Sequence, residues 1–393
     1  MSGRAPTVLI LAAGTGGHVF PALCIARELQ RAGVGIHWLG TSAGMENKLL
    51  RDEAFPFHAI GVSGLRGAGP RRLLKAPFML LRATWRAMRI LRELRPDCLV
   101  GMGGYVTGPA AVAGRLLRIP VLIHEQNAVP GLTNRIVSRW AARIYEAFPK
   151  TFPRERRVLF TGNPVRREIL GVADRRRRRK KGPLRLLVLG GSQGADALNA
   201  LIPDLIAGWR GAQPLKVLHQ CGFTAMARTR QRYQELEVNL DSNHRLVGFI
   251  REMGDAYAWA DLVLCRSGAG TVAEIAVCGL PAIFVPYPHH KDRQQLFNAR
   301  WLAARQAAEI IEQSELSLAR LEQILLRLEA DRDWLAEMSR RAHDMAITDA
   351  AGRVAESCLV FLRQREEERE REQETEAEAE TETPSEEQGA DHD

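Results

Sequence analysis

Short apolar runs alternate with stretches of helical period along most of this chain. The runs at 7–13, 35–40, 57–62, 97–102, 121–125, 143–147 and 157–161 read as strands in the first half. Those near 184–190, 215–219, 244–248, 261–265 and 282–286 read as strands in the second. Between them lie helical patterns such as Leu23, Ile25, Ala26 and Leu29. Strand and helix in strict turn predict an α/β protein, with parallel sheets covered by helices on both faces. The alternation is interrupted by Gly171-Val172-Ala173-Asp174, seven basic residues from Arg175 to Lys181, and Gly182-Pro183. That segment reads as an exposed, solvated linker, so two Rossmann-like domains meet near 163–182. Helical periodicity from 315 to 365 closes the fold. The Glu- and Thr-rich segment after Arg365 cannot bury a core and is expected to be disordered.

At 393 residues the chain is long enough for two cores. No apolar run approaches the roughly 20 residues that span a bilayer. The N-terminus runs straight into a strand, which argues against a signal peptide. The cysteines at 24, 98, 221, 265, 278 and 358 form no CxxC pair. Reduced thiols in a cytosolic protein are the expectation, with no disulfide or zinc framework. Charge changes the picture more. Residues 366–393 carry fourteen acids against Arg369 and Arg371, a net −12, so the rest of the +9 chain stands at +21. Such a body suits phosphorylated ligands or an anionic membrane. Nucleic acid is disfavoured, because the few aromatics are not interleaved with the basic clusters.

Three glycine turns follow apolar strands: Gly14-Thr15-Gly16-Gly17-His18, Gly101-Met102-Gly103-Gly104-Tyr105 and Gly190-Gly191-Ser192-Gln193-Gly194. Strand, glycine turn and helix together direct backbone N–H groups at an anion. None is a Walker loop, and Val19 stands where a dinucleotide fingerprint needs its last glycine. The second strand ends in Gly40-Thr41-Ser42 without an acid for a ribose, which also argues against NAD. A fourth segment, Arg266-Ser267-Gly268-Ala269-Gly270-Thr271-Val272-Ala273-Glu274, opens a helix whose positive end suits a phosphate. Ser267 and Thr271 can bind that phosphate, and Glu274 can accept two ribose hydroxyls. Gln294 and Gln295 suit a neutral sugar. His289 and His290 lack the neighbours a metal site needs. The ligand expected is a diphosphate held between two facing sheets.

These segments, with His124-Glu125-Gln126-Asn127, Gly131-Leu132-Thr133-Asn134, Gly162-Asn163-Pro164-Val165-Arg166 and Asp292-Arg293-Gln294-Gln295 with Asn298, resemble the MurG family of bacterial glycosyltransferases in order and over residues 7–360. The resemblance implies a GT-B fold. An N-terminal domain (1–165) would face the acceptor and membrane, and a C-terminal domain (166–342) would hold UDP-GlcNAc. A helix (343–365) would cross back to the first domain, ahead of the disordered acidic tail (366–393). It implies an inverting transfer of GlcNAc from UDP-GlcNAc to the MurNAc C4 hydroxyl of lipid I, giving lipid II for peptidoglycan. It implies no cofactor or metal, and a peripheral location on the cytoplasmic face of the inner membrane. Cell-wall synthesis proteins are further candidate partners.

By family position, Thr15, Gly16, Gly17, Asn127, Arg166, Ser192, Ile250, Ala269, Gly270, Thr271, Val272, Ala273, Glu274, Gln294 and Gln295 would contact the donor. Glu274 would take the ribose, the Ile250 backbone the uracil, Ser192 the diphosphate and the glutamines the GlcNAc. Gly103, Gly104, Tyr105 and Thr107 would meet the acceptor. His18 is the first candidate for the base; the alternative gives the proton to Glu125, with His18 donating to phosphate or sugar. His124 reads as structural. Ala13 and Gly270 depart from the family pattern. A UDP-GlcNAc 2-epimerase, another GT-B enzyme and a non-catalytic phosphate-binding protein are the competing readings.

Residues 71–95 carry two apolar stripes. Leu74, Phe78, Leu81, Trp85 and Met88 form one, beside Arg71, Lys75, Arg82, Arg86 and Arg89. Leu73, Leu80, Ala87, Leu91 and Leu94 form the other, expected to pack on the domain. Pro77 is expected to break the helix in two. An exposed apolar stripe flanked by cations fits docking on anionic lipid.

Overall fold

The computed structural model describes residues 5–381 except 43, 45, 52, 63–69, 177–180 and 192–193, with backbone alone at 48, 70–75 and 376–381. Its first sheet holds β1 (Thr7–Leu11), β2 (Gly35–Gly40), β3 (Phe57–Ala59), β4 (Cys98–Gly101), β5 (Val121–Glu125), β6 (Arg143–Glu146) and β7 (Val158–Phe160). The second holds β8 (Arg185–Leu189), β9 (Lys216–Gln220), β10 (His244–Val247), β11 (Leu262–Cys265), β12 (Ala282–Phe284) and β13 (Ala308–Ile310). All pairings are parallel, in the orders β3-β2-β1-β4-β5-β6-β7 and β10-β9-β8-β11-β12-β13. This is the α/β, two-Rossmann GT-B architecture expected. The central strands read as unbroken apolar runs because both faces are covered: every residue of β1, β4 and β11 is buried.

In each sheet the strand order reverses once, between β1 and β4 and between β8 and β11. The segments picked out by their glycines follow these four strands, so they edge the two crevices where open α/β sheets bind ligands.

Four expectations change. β13 was not foreseen; it is a three-residue edge strand carrying Glu309, too short and polar to stand out. Pro77 does not break the helix Pro70–Leu94, because its position is exposed and solvent can take the carbonyl that the missing N–H frees. Ala87, Leu91 and Leu94 of the expected inner stripe do pack on the domain, joined by Ala83, Met88 and the buried Ala76, while Leu80 is exposed and the Leu73 side chain lies outside the described residues. The closing helix is not 343–365 but runs Ala350–Thr381, so 366–381, expected to be disordered, is helical, and 382–393 lies outside the described residues. Glu and Arg are good helix formers, and Arg365–Glu368 and Arg371–Glu367 pair at helical spacing. Arg369 also ties it to Asp97 at 3.1 Å. Val354, Ala355, Cys358, Phe361 and Leu362 of this helix pack in the first domain's core.

The basic linker is only partly solvated. Arg175 pairs with Asp255, while Arg176 donates to the carbonyls of Ala260, Cys278 and Gly279.

Candidate functional site

The helix Gly16–Arg31 starts directly after β1 and its turn, and Thr15 makes no side-chain cap. The helix Gly104–Leu116 begins after β4 with Gly103, also without a side-chain cap. Most other helices also start without a side-chain cap, Met226–Glu235 and Met253–Trp259 among them, whereas Leu318–Ala330 and Arg332–Asp344 are capped by Ser317 and Asp331. What sets the first two apart is their place at the switch point, where open first-turn amides are available to an anion. Gly103 sits at φ 85°, ψ −164°, a region essentially closed to residues with a side chain. Gly14, at φ 95°, lies against Tyr105: a Cβ there would stand 3.2 Å from the phenol oxygen. The half-buried His18 faces the second turn, its Cε1 being 3.8 Å from where a Gly104 Cβ would lie. Desolvation lowers the His18 pKa from its usual 6.5, which favours the neutral imidazole.

Thr107 does not reach the crevice. It is fully buried, and its hydroxyl bonds the carbonyls of Gly103 (2.8 Å) and Leu11 (3.2 Å), locking the turn to β1. Glu46 went unforeseen. Its buried carboxylate accepts from the Gly14 N–H (3.2 Å) and from the Thr41 N–H and hydroxyl (both 2.8 Å). The acid missing from the end of β2 thus comes from the next helix and holds the first turn from beneath. Its spacing from Thr41 was the available signal.

Glu125, at the end of β5, is 3% exposed. It accepts from the N–H of Asn127 and of Gly131 (both 3.0 Å) and from the amides of Asn134 (2.9 Å) and Asn127 (3.2 Å). Burial raises its pKa against these hydrogen bonds. Every one of those bonds goes to the 125–134 loop, so Glu125 shapes that loop and has no free lone pair aimed at a hydroxyl. The Asn127 side chain also meets Asn298 of the second domain (3.2 Å), which in turn accepts the Ala128 N–H (2.8 Å).

His124 is structural, as expected. It is fully buried between Gln126, which donates to Nδ1 (3.0 Å), and the Gly162 carbonyl, which accepts from Nε2 (3.1 Å). Burial lowers its pKa from 6.5 to about 4. Above pH 6.5 both folded and unfolded chains hold it neutral. As pH falls toward 4 only the unfolded chain takes the proton, so stability is lost. We expect about 3 kcal/mol to go between pH 7 and 4 from this group. The lowered His219 acts in the same direction. Denaturant titrations across that range should show the loss, reduced in a His124→Gln chain that folds; an equal loss in that chain would refute the assignment.

In the second crevice the 190–194 turn is held by Gln220, which accepts the Gly191 N–H (3.0 Å) and donates to the carbonyls of Gly191 and Gly248. Ser192 lies outside the described residues. The helix Ala269–Cys278 starts at Gly268 with no side-chain cap. Gly270, Thr271, Ala273 and Glu274 are partly exposed, whereas Ala269 and Val272 pack in the core, so Val272 can offer a ligand only its backbone. Ser267 is buried and spends its hydrogen on the Gln295 carbonyl at 2.7 Å, which removes it as a phosphate donor. Glu274 binds Arg166 through Oε1 (2.9 and 3.1 Å) and accepts the Tyr257 hydroxyl at Oε2 (3.0 Å). Arg166 also stacks on Phe20 of the first domain, 5.1 Å from the ring centre. Gln295 accepts the Tyr287 N–H, and Gln294 donates to Asp292. Ile250 packs on the core beside Phe249, which is 51% exposed and stacks on the 72% exposed Phe223 at 5.9 Å. This exposed aromatic pair was also unforeseen.

Two family models match, the glycosyltransferase family 28 N-terminal domain over residues 8–146 and the family 28 C-terminal domain over 185–354. A curated protein of Ectopseudomonas mendocina is 47% identical over 91% of this chain and 99% of its own length. It is named UDP-N-acetylglucosamine–N-acetylmuramyl-(pentapeptide) pyrophosphoryl-undecaprenol N-acetylglucosamine transferase. The crystal structure of Acinetobacter baumannii MurG is 42% identical, with a TM-score of 0.75 over 89% of this chain and 98% of that one. The chain belongs to the MurG family of glycosyltransferases. A second relative carrying the same enzyme name, from Acinetobacter baylyi, is 45% identical over 89% of this chain and 96% of its own. Similarity on this scale spans both crevices of the MurG-family fold and the closing helix up to about residue 354.

Proposed function

We propose that this chain is the N-acetylglucosaminyltransferase that moves GlcNAc from UDP-GlcNAc to lipid I, forming lipid II for peptidoglycan. The observation that carries the reading is the pairing of two switch-point crevices with uncapped helix starts, bridged by Arg166 between Phe20 and Glu274. The second crevice takes the donor. Glu274 receives the ribose, the Ile250 backbone the uracil and the Gly270–Thr271 amides the diphosphate; Gln294 and Gln295 face the sugar. The first crevice takes the acceptor, through Gly103, Gly104 and Tyr105, with Thr15, Gly16 and Gly17 reaching the donor from across the cleft. Thr107 and Glu46 hold these turns in shape.

His18 accepts the proton of the acceptor C4 hydroxyl through its free imidazole nitrogen. The hydroxyl oxygen attacks the anomeric carbon as the bond to the diphosphate breaks, UDP leaves and the α-linkage becomes β. Charge gathers on the departing diphosphate, where helix N-termini are most effective. Glu125 orders the 125–134 loop. Purified chain is expected to transfer radiolabelled GlcNAc from UDP-GlcNAc to a lipid I analogue equally with and without EDTA. Free UDP without acceptor-linked sugar would refute the transferase; loss in EDTA alone would refute metal independence.

The acceptor of this reading is a lipid, and the first domain carries a face suited to a membrane surface. No helix among the described residues is long and apolar enough to cross a membrane. Phe78, Leu81 and Trp85 are 73%, 69% and 55% exposed on one helix, with Arg89 stacked over Trp85. The Leu74 side chain lies outside the described residues. Exposed apolar side chains in a row with guanidiniums beside them support docking on an anionic leaflet. The location that follows is peripheral, on the cytoplasmic face of the inner membrane.

A further inference from the structure

The first sheet has a second hollow, at the edge opposite the glycine turns. A cavity of about 420 Å³ opens where β5 and β6 begin, walled by Ile119, Pro120, Val121 and Ala142, by Trp140, and by Phe361 and Gln364 of the closing helix. Arg115, Arg118, Arg143 and Arg365 line it, against a single carboxylate, Glu368. Two of the guanidiniums are set in place by aromatic rings, Arg115 over Trp140 and Arg143 over Phe361, each at 5.4 Å. Arg118 sits at φ 56°, a backbone conformation that residues with side chains seldom adopt. Two donors there are buried without an acceptor, the Trp140 indole N–H and the Arg365 Nε–H. Buried donors of this kind normally have partners. Arg365 pairs with Glu368 at 3.3 Å, which leaves Arg115, Arg118 and Arg143 without a carboxylate among the residues that line the cavity.

We propose that this cavity holds the phosphate of an anionic phospholipid headgroup, an inference that rests on the membrane reading above. The surroundings favour a lipid over a soluble anion. Leu116, next to Arg115, is 64% exposed, and Val112, one turn earlier, is 40% exposed. Their helix packs along Pro70–Leu94, which carries Phe78, Leu81 and Trp85, and against Leu132–Val137, which exposes Leu132 and Ile136. A headgroup in the cavity has apolar surface beside it for its acyl chains. The closing helix, through Arg365, joins the membrane contact as a wall of the pocket.

The test is co-sedimentation of the full chain with phosphatidylcholine vesicles, with and without phosphatidylglycerol. The variant Arg115→Ala/Arg118→Ala should lose about tenfold or more in affinity for the anionic vesicles. Trp140→Phe keeps the charge and an aromatic face for Arg115 while removing the indole N–H together with the second ring; it should lose about threefold. Both should keep the wild-type KM for UDP-GlcNAc and wild-type binding to neutral vesicles. Wild-type affinity in both variants overturns the pocket and leaves the membrane reading standing. A loss in the arginine variant with none in Trp140→Phe marks diffuse surface charge and also overturns it. Inorganic phosphate binding that the arginine variant loses, without any vesicle effect, assigns the cavity to a soluble anion and overturns the lipid. If the wild type ignores vesicles, or Phe78→Ser/Trp85→Ser binds them unchanged, the membrane reading fails and the pocket with it.

Discussion

Replacing His18 with alanine is expected to lower kcat by about two to four orders of magnitude, the range a positioned general base contributes, with little change in KM for UDP-GlcNAc. The split follows from position. His18 stands at the start of the helix Gly16–Arg31, facing Gly104 of the acceptor turn, and takes no part in holding the two crevices together. Its pH signature separates a base from a hydrogen-bond donor. A base must be neutral, so turnover rises as pH climbs through the His18 pKa and is flat above it. Desolvation puts that pKa below 6.5, and the acid limb should fall correspondingly low. The limb should vanish in His18→Ala, leaving slow, flat turnover. Near-normal kcat with the same acid limb would remove His18 from the proton transfer. Glu125→Gln tests the alternative. Its carboxylate only accepts, from four donors, so the amide must lose some of those bonds and the 125–134 loop should loosen. A rise in KM with an unchanged acid limb is expected; loss of the limb would make Glu125 the base.

The fold was legible because its signal is redundant. Central strands covered on both faces must be apolar throughout, as in Val8-Leu9-Ile10-Leu11 and Leu262-Val263-Leu264-Cys265, and the glycine turns can only follow such strands. Edges carry no such constraint, which is why β13 escaped notice and why the closing helix overran its expected end. The local geometry of the candidate site was legible where it resides in a segment's own backbone, as at Gly103 and at the Ala269–Cys278 helix start. It was illegible where a hydroxyl's destination depends on a distant element. Thr107 and Ser267 look like ligand donors in sequence, yet they bond Leu11 and Gln295, 96 and 28 residues away. Glu46 shows the converse. Its spacing from Thr41 marks it only as a local acceptor, and nothing local points to Gly14, 32 residues upstream. Phe223 and Phe249 become a pair only because β9 and β10 end side by side.

Removing the Glu274 carboxylate should be the most damaging change to donor binding. A carboxylate offers about four acceptor positions, and here three are filled, two on Oε1 by Arg166 and one on Oε2 by Tyr257. Only one remains for a ribose, so taking both ribose hydroxyls requires Arg166 or Tyr257 to give up a bond; we expect Arg166 to yield, since it holds two. The guanidinium is then free to turn toward the diphosphate while still stacked on Phe20. In the proposed donor complex Glu274 would thus couple nucleoside recognition to the placement of a cation near the leaving group. Two hydrogen bonds to a charged group are worth about 3 kcal/mol or more, so Glu274→Ala should raise KM for UDP-GlcNAc about a hundredfold. The decisive comparison uses a donor lacking the ribose 2′-hydroxyl. The wild type should discriminate against it by about tenfold or more, and Glu274→Ala should not discriminate at all. A variant that still prefers the normal ribose would place its recognition elsewhere. A variant that loses discrimination but keeps the wild-type KM would mean that Arg166, once released, makes up the binding through the diphosphate, and Arg166→Ala in the same background should then abolish it.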